Sequence, residues 1–286
     1  MARPEQGQPS FAGQLAVVTG AASGIGRATA VLLARSRARL CVCDVASSEL
    51  PALETELWAA GAQGVDASVV DVSARREMAT FAERVCRDGA PDLLVNNAGV
   101  GLAGGLLDTT LEDWEWIVNV NLWGVVHGCH FFAPKMAARG RGQIVNVASA
   151  AGYYNSEAMA AYGTTKYAVV GLSEALRAEL GPRGVGVSVV CPGFINTPIV
   201  RRMRMRGSAY PESERLNVQR FYEQRDYTPE RVAAAILKAA RRNGALVPVT
   251  PEAWALYLLK RAAPNYSHRI VNSLQGLLDR KRAGKS

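Results

Sequence analysis

The sequence is poor in the features that build metal sites, disulfide frameworks and membrane spans. Its 286 residues include five cysteines, none in a Cys-x-x-Cys pair and none with the ligand spacing of a zinc site. No apolar run approaches the roughly 18 residues of a transmembrane helix. The polar start MARPEQGQPSF lacks the apolar core of a signal peptide. We therefore expect a cytoplasmic protein with reduced cysteines and no metal ion.

The sequence is also not acidic, since its formal net charge is +8 at pH 7. The excess of basic residues is unevenly distributed along the chain. Four arginines fall within 201–206, and residues 254–286 hold seven lysines and arginines against one aspartate. Such a surplus suits nucleic acid or an anionic membrane, but no nucleic-acid recognition motif accompanies it. We interpret it as solvated surface and expect no nucleic-acid partner. We expect the basic tail to pack on the core or at a subunit contact, with peripheral membrane contact as the alternative.

Short β-branched apolar runs alternate with segments of helical periodicity along most of the chain. The predicted strands are 15–19, 39–44, 65–71, 92–97, 142–149, 185–192 and 245–249, and the predicted helices are 25–34, 49–60, 74–87, 111–138, 159–180 and 230–241. This alternation predicts one α/β domain over 1–286, a Rossmann-type doubly wound parallel sheet of about seven strands with helices on both faces. Residues 199–227 are expected to form a helical excursion covering the substrate, and 251–286 a basic helical extension.

The segment TGAASGIG (19–26) lies where the first predicted strand meets the first predicted helix. A turn in this place can hold a pyrophosphate, because the N–H groups at the helix start carry partial positive charge. Gly20 permits the tight turn, Gly24 lets the backbone approach the phosphates, and Gly26 lets helix and strand pack closely. The sequence therefore predicts a dinucleotide site at this turn.

An acid, Asp44, follows at the end of the second strand, eighteen residues after the last of these glycines. A carboxylate there accepts hydrogen bonds from both hydroxyls of the adenosine ribose and repels a 2′-phosphate. Its neighbours and the turn residue Ser23 supply no positive charge. Arg27 lies at the start of the helix, and we expect its side chain to point away from the adenosine ribose. The pattern favours NAD over NADP.

Tyr162 and Lys166 are four residues apart in a predicted helix, so they share a face. Taken alone the pair is short and common, and two surface residues are the simpler interpretation. A phenol has an ordinary pKa of about 10 and is a poor base at neutral pH, but a nearby ammonium favours its charged form. The pair therefore gains meaning only from the motifs around it.

Several motifs recur along the chain in a fixed order, most of them at predicted strand ends. They are TGAASGIG (19–26), Asp71, NNAG (96–99), Asn121 within NVNLWG, Ser149, the pair Tyr162 and Lys166, and Pro192-Gly193. In these features the sequence resembles the short-chain dehydrogenase/reductases, in the branch of soluble enzymes with TGxxxGIG and Tyr-x-x-x-Lys motifs. The resemblance covers about 15–198 and 230–249 and implies a nicotinamide dinucleotide as cofactor.

The resemblance also implies which residues contact that cofactor. The implied contacts are Gly20, Ser23, Gly24, Ile25 and Gly26 at the phosphates, Asp44 at the adenosine ribose, Asp71 and Val72 at the adenine edge, Asn97, Ala98 and Gly99 along the cofactor ribose, Pro192, Gly193, Ile195 and Thr197 at the nicotinamide, and Tyr162 and Lys166 beside its ribose.

Four residues are implied to be catalytic: Asn121, Ser149, Tyr162 and Lys166. Tyr162 would be the acid/base, its phenol made more acidic by Lys166 and by the cationic nicotinamide. Ser149 would hydrogen-bond the substrate oxygen and stabilise charge developing there. Asn121 would hold a water that links Lys166 to solvent.

Two positions depart from the family pattern. Ala148 replaces the first of two serines and leaves Ser149, thirteen residues before Tyr162. Arg37 replaces the glycine usual after the first helix, where a non-glycine residue in the left-handed conformation costs roughly 1 kcal/mol. This change concerns the local turn and not the implied activity.

The expected function is NAD-dependent interconversion of a hydrophobic secondary alcohol and its ketone. We expect the apolar walls of the substrate pocket to be formed by Leu102, Phe194 and the methionines and aromatics of 199–227. The alternatives are a dinucleotide-binding regulator or scaffold without turnover, and an NADP-dependent carbonyl reductase. The resemblance also implies a homodimer or homotetramer, with helices 111–138 and 159–180 pairing across a two-fold axis.

Overall fold

The computed structural model describes residues 11–207, 216–217, 220–222 and 227–267. Its strands are β1 (Leu15–Thr19), β2 (Arg39–Asp44), β3 (Gly64–Val69), β4 (Leu93–Asn96), β5 (Leu102–Ala103), β6 (Gly142–Val147), β7 (Val185–Cys191), β8 (Arg204–Met205) and β9 (Leu246–Pro248). Seven of them form one parallel sheet in the order β3-β2-β1-β4-β6-β7-β9. This confirms the predicted Rossmann-type sheet, whose winding reverses between β1 and β4.

Helices cover both faces of this sheet. They are α1 (Gly24–Arg35), α2 (Leu50–Ala59), α3 (Arg75–Val85), α4 (Leu111–Val118), α5 (Gly124–Arg139), α6 (Ala160–Leu180), α7 (Pro198–Arg202), α8 (Pro229–Arg242) and α9 (Pro251–Ala262). One core cluster joins the sheet to α1, α2 and α8, and another joins it to α3, α5 and α6.

The central strands bury successive residues on opposite faces. In β1, Val17 belongs to the cluster under α3, α5 and α6, whereas Ala16 and Val18 belong to the cluster under α1, α2 and α8. Because both faces are covered, the strand sequences LAVVT and LLVN are continuously apolar rather than alternating.

Two strands end two residues before the sequence predicts, β3 at Val69 and β6 at Val147, and β7 ends one residue before, at Cys191. Asp71 has left the sheet, and its Oδ1 accepts hydrogen bonds from the backbone N–H and hydroxyl of Ser73. The residues that follow β6 and β7 turn out of the sheet to build one side of the crevice described below.

Helical periodicity predicts one regular helix over 111–138, and the structure corrects this. α4 and α5 are joined by a π-helical turn, Asn119–Trp123, so one additional residue is accommodated in the middle of the helix. The correction matters because Asn121 lies in this turn.

The predicted helical excursion over 199–227 is not wholly helical. It begins with α7, but β8 follows at once and pairs in parallel with β5, with Arg204 N donating to Gly101 O at 3.1 Å. Residues 208–215, 218–219 and 223–226 of this excursion lie outside the described residues.

The predicted C-terminal extension, 251–286, begins with α9, which packs against β9 and the turn after β6. Residues 268–286 lie outside the described part of the chain. Among the helices that are described, none combines the length and apolar character needed to span a membrane.

Candidate active site

The carboxyl ends of β1, β4, β6 and β7 meet at one edge of the sheet and surround a crevice at the point where the winding reverses. In open parallel sheets this is the place where ligands bind. Gly20 follows β1, Asn97 follows β4, Ser149 follows β6, and Pro192 follows β7. The fold thus brings segments as distant in sequence as Gly20 and Pro192 to one crevice.

The turn between β1 and α1 approaches its neighbours so closely that side chains are excluded. At Gly20, φ is +64° and an added Cβ would lie 2.6 Å from the Cα of Ala98. At Gly24, φ is +54°, and Gly26 has no room for a Cβ against the carbonyl oxygen of Gly20. Ser23 precedes α1 without a side-chain capping bond, so the first N–H groups of the helix are available to a phosphate.

Asp44 lies beside this turn at the end of β2. Its Oδ2 accepts from Ala22 N at 2.9 Å, and its Oδ1 accepts from Ala46 N at 3.0 Å. The basic residue of the first helical turn, Arg27, faces α2 instead, with its Nε 2.8 Å from Glu56 Oε2. The acidic end of the crevice therefore keeps its negative charge.

Asp71 and Val72 follow β3, and the start of α5 fixes them in place. The carbonyl oxygen of Val72 lies 2.9 Å from Nδ1 of the buried His127. Gly124 leaves room for the Val72 side chain, since an added Cβ would lie 2.7 Å from Val72 Cγ2. The hydrogen bonds between Asp71 and Ser73 fold the chain back at the edge of the crevice.

The segment after β4 is fastened to the end of β1. Asn97 Nδ2 donates to the carbonyl oxygens of Thr19 and Gly20, each at 3.0 Å. The Thr19 hydroxyl in turn accepts from the N–H groups of Asn97 and Ala98 at 3.0 and 3.1 Å. Thr19 was not singled out from the sequence, although its place at the strand end directly before the first glycine was a usable signal.

Asn121 is fully buried in the π-helical turn. Its Oδ1 accepts from Val100 N at 2.8 Å, and its Nδ2 donates to Val100 O at 3.0 Å and to Thr165 Oγ1 at 3.3 Å. Both ends of the Asn121 amide thus bind the backbone of Val100, directly after Gly99. The bond to Thr165 joins Asn121 to α6, one residue before Lys166. The expected water between Asn121 and Lys166 stays a prediction.

Ser149, Tyr162 and Lys166 come together above the sheet. Ser149 begins a 3₁₀ turn over Ala150–Gly152, and its Oγ accepts from Ala151 N at 3.2 Å. The Ser149 side chain lies close enough to Tyr162 to lower the pKa of its phenol. Lys166 is 4% exposed, donates to Val147 O at 3.2 Å, and places its Nζ 5.7 Å from the centre of the Tyr162 ring.

Burial dominates the ionisation of this pair within the chain's own groups. It raises the pKa of Tyr162, and the nearby Ser149 side chain opposes that rise. It also lowers the pKa of Lys166 from 10.5 to about 8. The sequence led us to expect that Lys166 makes the phenol more acidic. Within the chain's own groups the pKa of Tyr162 is instead raised, and desolvation is the largest cause.

The segment after β7 forms the opposite wall of the crevice. Pro192 O accepts from Ala150 N at 2.7 Å, which joins this wall to the turn that carries Ser149. Ile195 is buried, and the Thr197 side chain faces the glycine turn, where a Cβ on Gly24 would lie 3.4 Å from Thr197 Cβ.

Apolar side chains surround the open side of the crevice. The ring of Phe194 meets those of Phe221 and Tyr222 edge-on, with centroids 5.3 and 5.6 Å apart. Met203 lies against Gly101, where an added Cβ would be 2.9 Å from its Cε. Tyr210, another aromatic of the excursion, lies outside the described residues.

Comparison with known proteins agrees with this arrangement. The family model for short chain dehydrogenases matches residues 14–206. "Probable oxidoreductase EphD" of Mycobacterium tuberculosis is 40% identical over 270 residues, or 92% of this chain, which spans only 45% of that protein's length. The 3-oxoacyl-(acyl-carrier-protein) reductase FabG of Thermotoga maritima is 35% identical, with 82% of this chain and 93% of that protein covered.

Among solved structures, a short-chain dehydrogenase/reductase from Burkholderia phymatum in complex with NAD is 33% identical. The alignment covers 89% of this chain and 95% of that one with a TM-score of 0.81. With the family model spanning more than half of its residues, the chain belongs to the short-chain dehydrogenase family.

Proposed function

We propose that this chain is an NAD-dependent oxidoreductase that interconverts a hydrophobic secondary alcohol and its ketone, with Tyr162 as acid/base. Membership of the short chain dehydrogenase family supports an oxidoreductase activity with a nicotinamide dinucleotide, and a similar protein of known structure is in complex with NAD. The observation that supports the finer proposal is the position of Tyr162 near Ser149 and beside the buried Lys166, whose Nζ lies 5.7 Å from the centre of the Tyr162 ring.

The chain's own residues fit a dinucleotide. Gly20, Gly24 and Gly26 present bare backbone, and the uncapped start of α1 offers N–H donors to the pyrophosphate. Asp44 supplies acceptors to the adenosine ribose. The remaining residues implied by the resemblance, Asp71 and Val72, Asn97 to Gly99, and Pro192 to Thr197, line the crevice between that ribose and Lys166.

A bound nicotinamide would supply the hydride acceptor for the carbinol carbon, or the hydride donor for the ketone. Oxidation requires Tyr162 as the phenolate, whose oxygen takes the hydroxyl proton as the ketone forms. In the reverse direction the phenol gives the proton to the substrate oxygen and becomes the phenolate. The Ser149 hydroxyl donates a hydrogen bond to the substrate oxygen. Lys166, with a pKa of about 8, is mostly charged at neutral pH and stabilises the phenolate while it exists.

The preference for NAD rests on charge. The carboxylate of Asp44 would repel a 2′-phosphate, and the ion pair with Glu56 holds Arg27 away from that position. An NADP-dependent carbonyl reductase, the alternative, would need a cation at this end of the crevice.

The preference for a hydrophobic substrate rests on the walls of the crevice. Phe194, Phe221, Tyr222 and Met203 present rings and a thioether at its open side. We place the substrate between these side chains and the Ser149 and Tyr162 hydroxyls, with the segment 199–227 as its cover. Such walls bind alkyl or ring systems by removing their apolar area from water.

The test compares the wild type with Tyr162→Phe and, as a matched control on the same helix, Tyr167→Phe. A set of hydrophobic alcohols is assayed with NAD and with NADP by following the reduced cofactor. We expect Tyr162→Phe to fold, to bind NADH as the wild type does, and to lose on the order of 10²- to 10⁴-fold in turnover. Tyr167→Phe should retain full turnover.

Full turnover in Tyr162→Phe would contradict the role of Tyr162. Tight NADH binding by the wild type with no turnover of any alcohol or ketone would favour the regulator or scaffold alternative. Faster turnover with NADP than with NAD would contradict the reading of Asp44.

A further inference from the structure

The first turn of α9 touches both walls of the crevice. This helix follows β9 and begins with the sequence Thr250-Pro251-Glu252. Because β9 is parallel to its neighbours, its carboxyl end delivers α9 to the same edge of the sheet as Ser149 and Pro192.

Glu252 binds the wall that follows β7. Its Oε1 accepts a hydrogen bond from the backbone N–H of Phe194 at 3.1 Å. At Gly193, an added Cβ would collide with the Thr250 hydroxyl and would lie 2.7 Å from the same Glu252 oxygen. Thr250 is fully buried and accepts from Ala253 N at 3.3 Å. The helix start therefore lies directly against the backbone of 193–194.

Tyr153 binds the same turn of helix from the other wall. Its hydroxyl donates to Ala253 O at 2.8 Å, and its ring meets that of Tyr257 edge-on with centroids 5.4 Å apart. Tyr153 closes the 3₁₀ turn that Ser149 opens, and Tyr153 N donates to Ala150 O at 3.2 Å. A displacement of α9 would therefore move the Ser149 turn as well.

We propose that Glu252 and Tyr153 are positioning residues through which α9 fixes the two walls of the crevice relative to each other. Glu252 fixes the backbone of 193–194 against the nicotinamide end, and Tyr153 fixes the turn that aims the Ser149 hydroxyl. This inference rests on the proposed function for its kinetic consequences, but the contacts themselves are independent of it.

The chain contains a matched control for Glu252. α8 begins with the same three residues, Thr228-Pro229-Glu230, and Glu230 also lies in the first helical turn. Glu230 is exposed to solvent, whereas the Glu252 carboxylate binds Phe194. Substituting each by alanine removes the same favourable charge from a helix start, so any difference between them reports the contact with the wall.

The experiment uses the full-length chain with NADH as the probe. NADH affinity is measured by fluorescence, kcat and KM by steady-state assay, and amide hydrogen exchange of the 192–197 segment by mass spectrometry. For Glu252→Ala we expect NADH affinity to fall on the order of 10-fold and exchange in 192–197 to quicken, because a hydrogen bond to a charged acceptor is lost. Glu252→Gln, which keeps an acceptor oxygen, should recover most of both, and Glu230→Ala should match the wild type.

Tyr153→Phe separates the second contact. We expect kcat to fall on the order of 10-fold with NADH affinity unchanged, since misplacing a group that binds the reacting oxygen reduces the rate without weakening the cofactor. Tyr257→Phe, on the same helix, should leave kcat unchanged.

Equal effects of Glu252→Ala and Glu230→Ala on affinity and exchange would overturn the role of Glu252, and an unchanged kcat in Tyr153→Phe would overturn that of Tyr153. If Glu252→Ala fails to fold, the role of Glu252 is decided by Glu252→Gln and Glu252→Asp, whose shorter side chain withdraws the carboxylate. Wild-type protein that binds no NADH would refute the proposed function, while the exchange measurement would still decide whether Glu252 holds the 192–197 segment.

Discussion

Lys166 is a charged residue in a place that water hardly reaches. Its side chain passes between α6 and the end of β6, and Nζ donates to the carbonyl oxygen of Val147. Burial lowers its pKa from 10.5 to about 8, while the nearby Cys191 acts in the opposite direction. The folded chain therefore holds this proton less tightly than the unfolded chain does.

This difference predicts a pH dependence of stability. Between pH 8 and 10.5 the unfolded state binds more protons at Lys166 than the folded state, so this group makes the free energy of unfolding rise with pH. In Lys166→Met the contribution is absent. We expect the free energy of unfolding of Lys166→Met minus that of the wild type to be largest below pH 8. This difference should fall by about 3 kcal/mol as pH rises through that window.

Urea unfolding of both proteins from pH 7 to 10.5 measures this difference. Groups that do not interact with Lys166 are common to both chains and cancel in the subtraction. A difference in stability that stays constant with pH would contradict the depressed pKa of Lys166.

Sequence motifs located many of the crevice residues but not the contacts that hold them. The strained turn at Arg37 was anticipated from the missing glycine, and the structure gives this residue a φ of +61°. The contacts of Thr19, Tyr153 and Glu252 were missed, because their partners lie 78, 100 and 58 positions away in the sequence. The pKa direction of Tyr162 was also missed, since burial is a property of the folded chain.

At the scale of elements, the π-helical turn between α4 and α5 is a local change of helix type that helical periodicity did not predict. The apolar pattern continues through 111–138, so a regular helix was the natural prediction. Residue Asn121 must reach both the N–H and the C=O of Val100, and the wider turn provides that reach. The hydrogen bonds to Val100 depend on the segment after β4, so the spacing of apolar residues in 111–138 does not indicate them.

Another element was invisible to the sequence because it is too short to have a pattern. The ribbon of β5 and β8 has two residues in each strand, and α4 anchors it. The buried carboxylate of Asp113 lies 2.7 and 2.8 Å from Nε and Nη2 of Arg206 and 3.2 Å from Nη1 of Arg204. These bonds, that to Arg206 foremost, lower the pKa of Asp113 to about 2.

Removing this anchor is expected to destabilise the protein. Asp113→Asn leaves two guanidinium groups without their anion, and we expect the free energy of unfolding to fall by about 2–4 kcal/mol at pH 7. Glu112→Gln, an exposed acid in the same helical turn, should change it by less than about 0.5 kcal/mol. Urea denaturation of the three proteins measures the effect, and equal stabilities would show that Asp113 does not anchor β8.

At the scale of the whole molecule, two aromatic side chains remain exposed on the long helices. Trp123 is 49% exposed at the start of α5, and Tyr167 is 39% exposed on α6. These are the helices that the family resemblance places at a two-fold axis, and aromatic residues are enriched at such contacts. We infer that this face joins two copies of the chain.

A single charge tests this assembly. We expect the wild type to be a dimer or tetramer and Trp123→Glu to have a smaller mass by light scattering after size exclusion, because a buried unpaired carboxylate is costly at an interface. Trp58→Glu on α2, where the indole is 50% exposed, serves as the matched control and should keep the wild-type mass. An unchanged mass in Trp123→Glu would place the subunit contact elsewhere.

The architecture as a whole was predictable, because alternating strands and helices with short connections allow few folds. The seven-stranded sheet and its helices on both faces follow from that rhythm. The attachment of α9 did not follow, since the sequence indicated an apolar and basic helix without indicating the surface it meets. Its packing against the Ser149 turn depends on the position of β9 at the sheet edge.

The bond between Tyr153 and Ala253 has a consequence for biosynthesis. A ribosome makes the donor a hundred residues before the acceptor, and α1 waits longer still for α8, with which it shares a core cluster. A nascent chain therefore exposes apolar surface until α8 and α9 emerge. Products of termination before α9 would lack a finished crevice however well their first half folded.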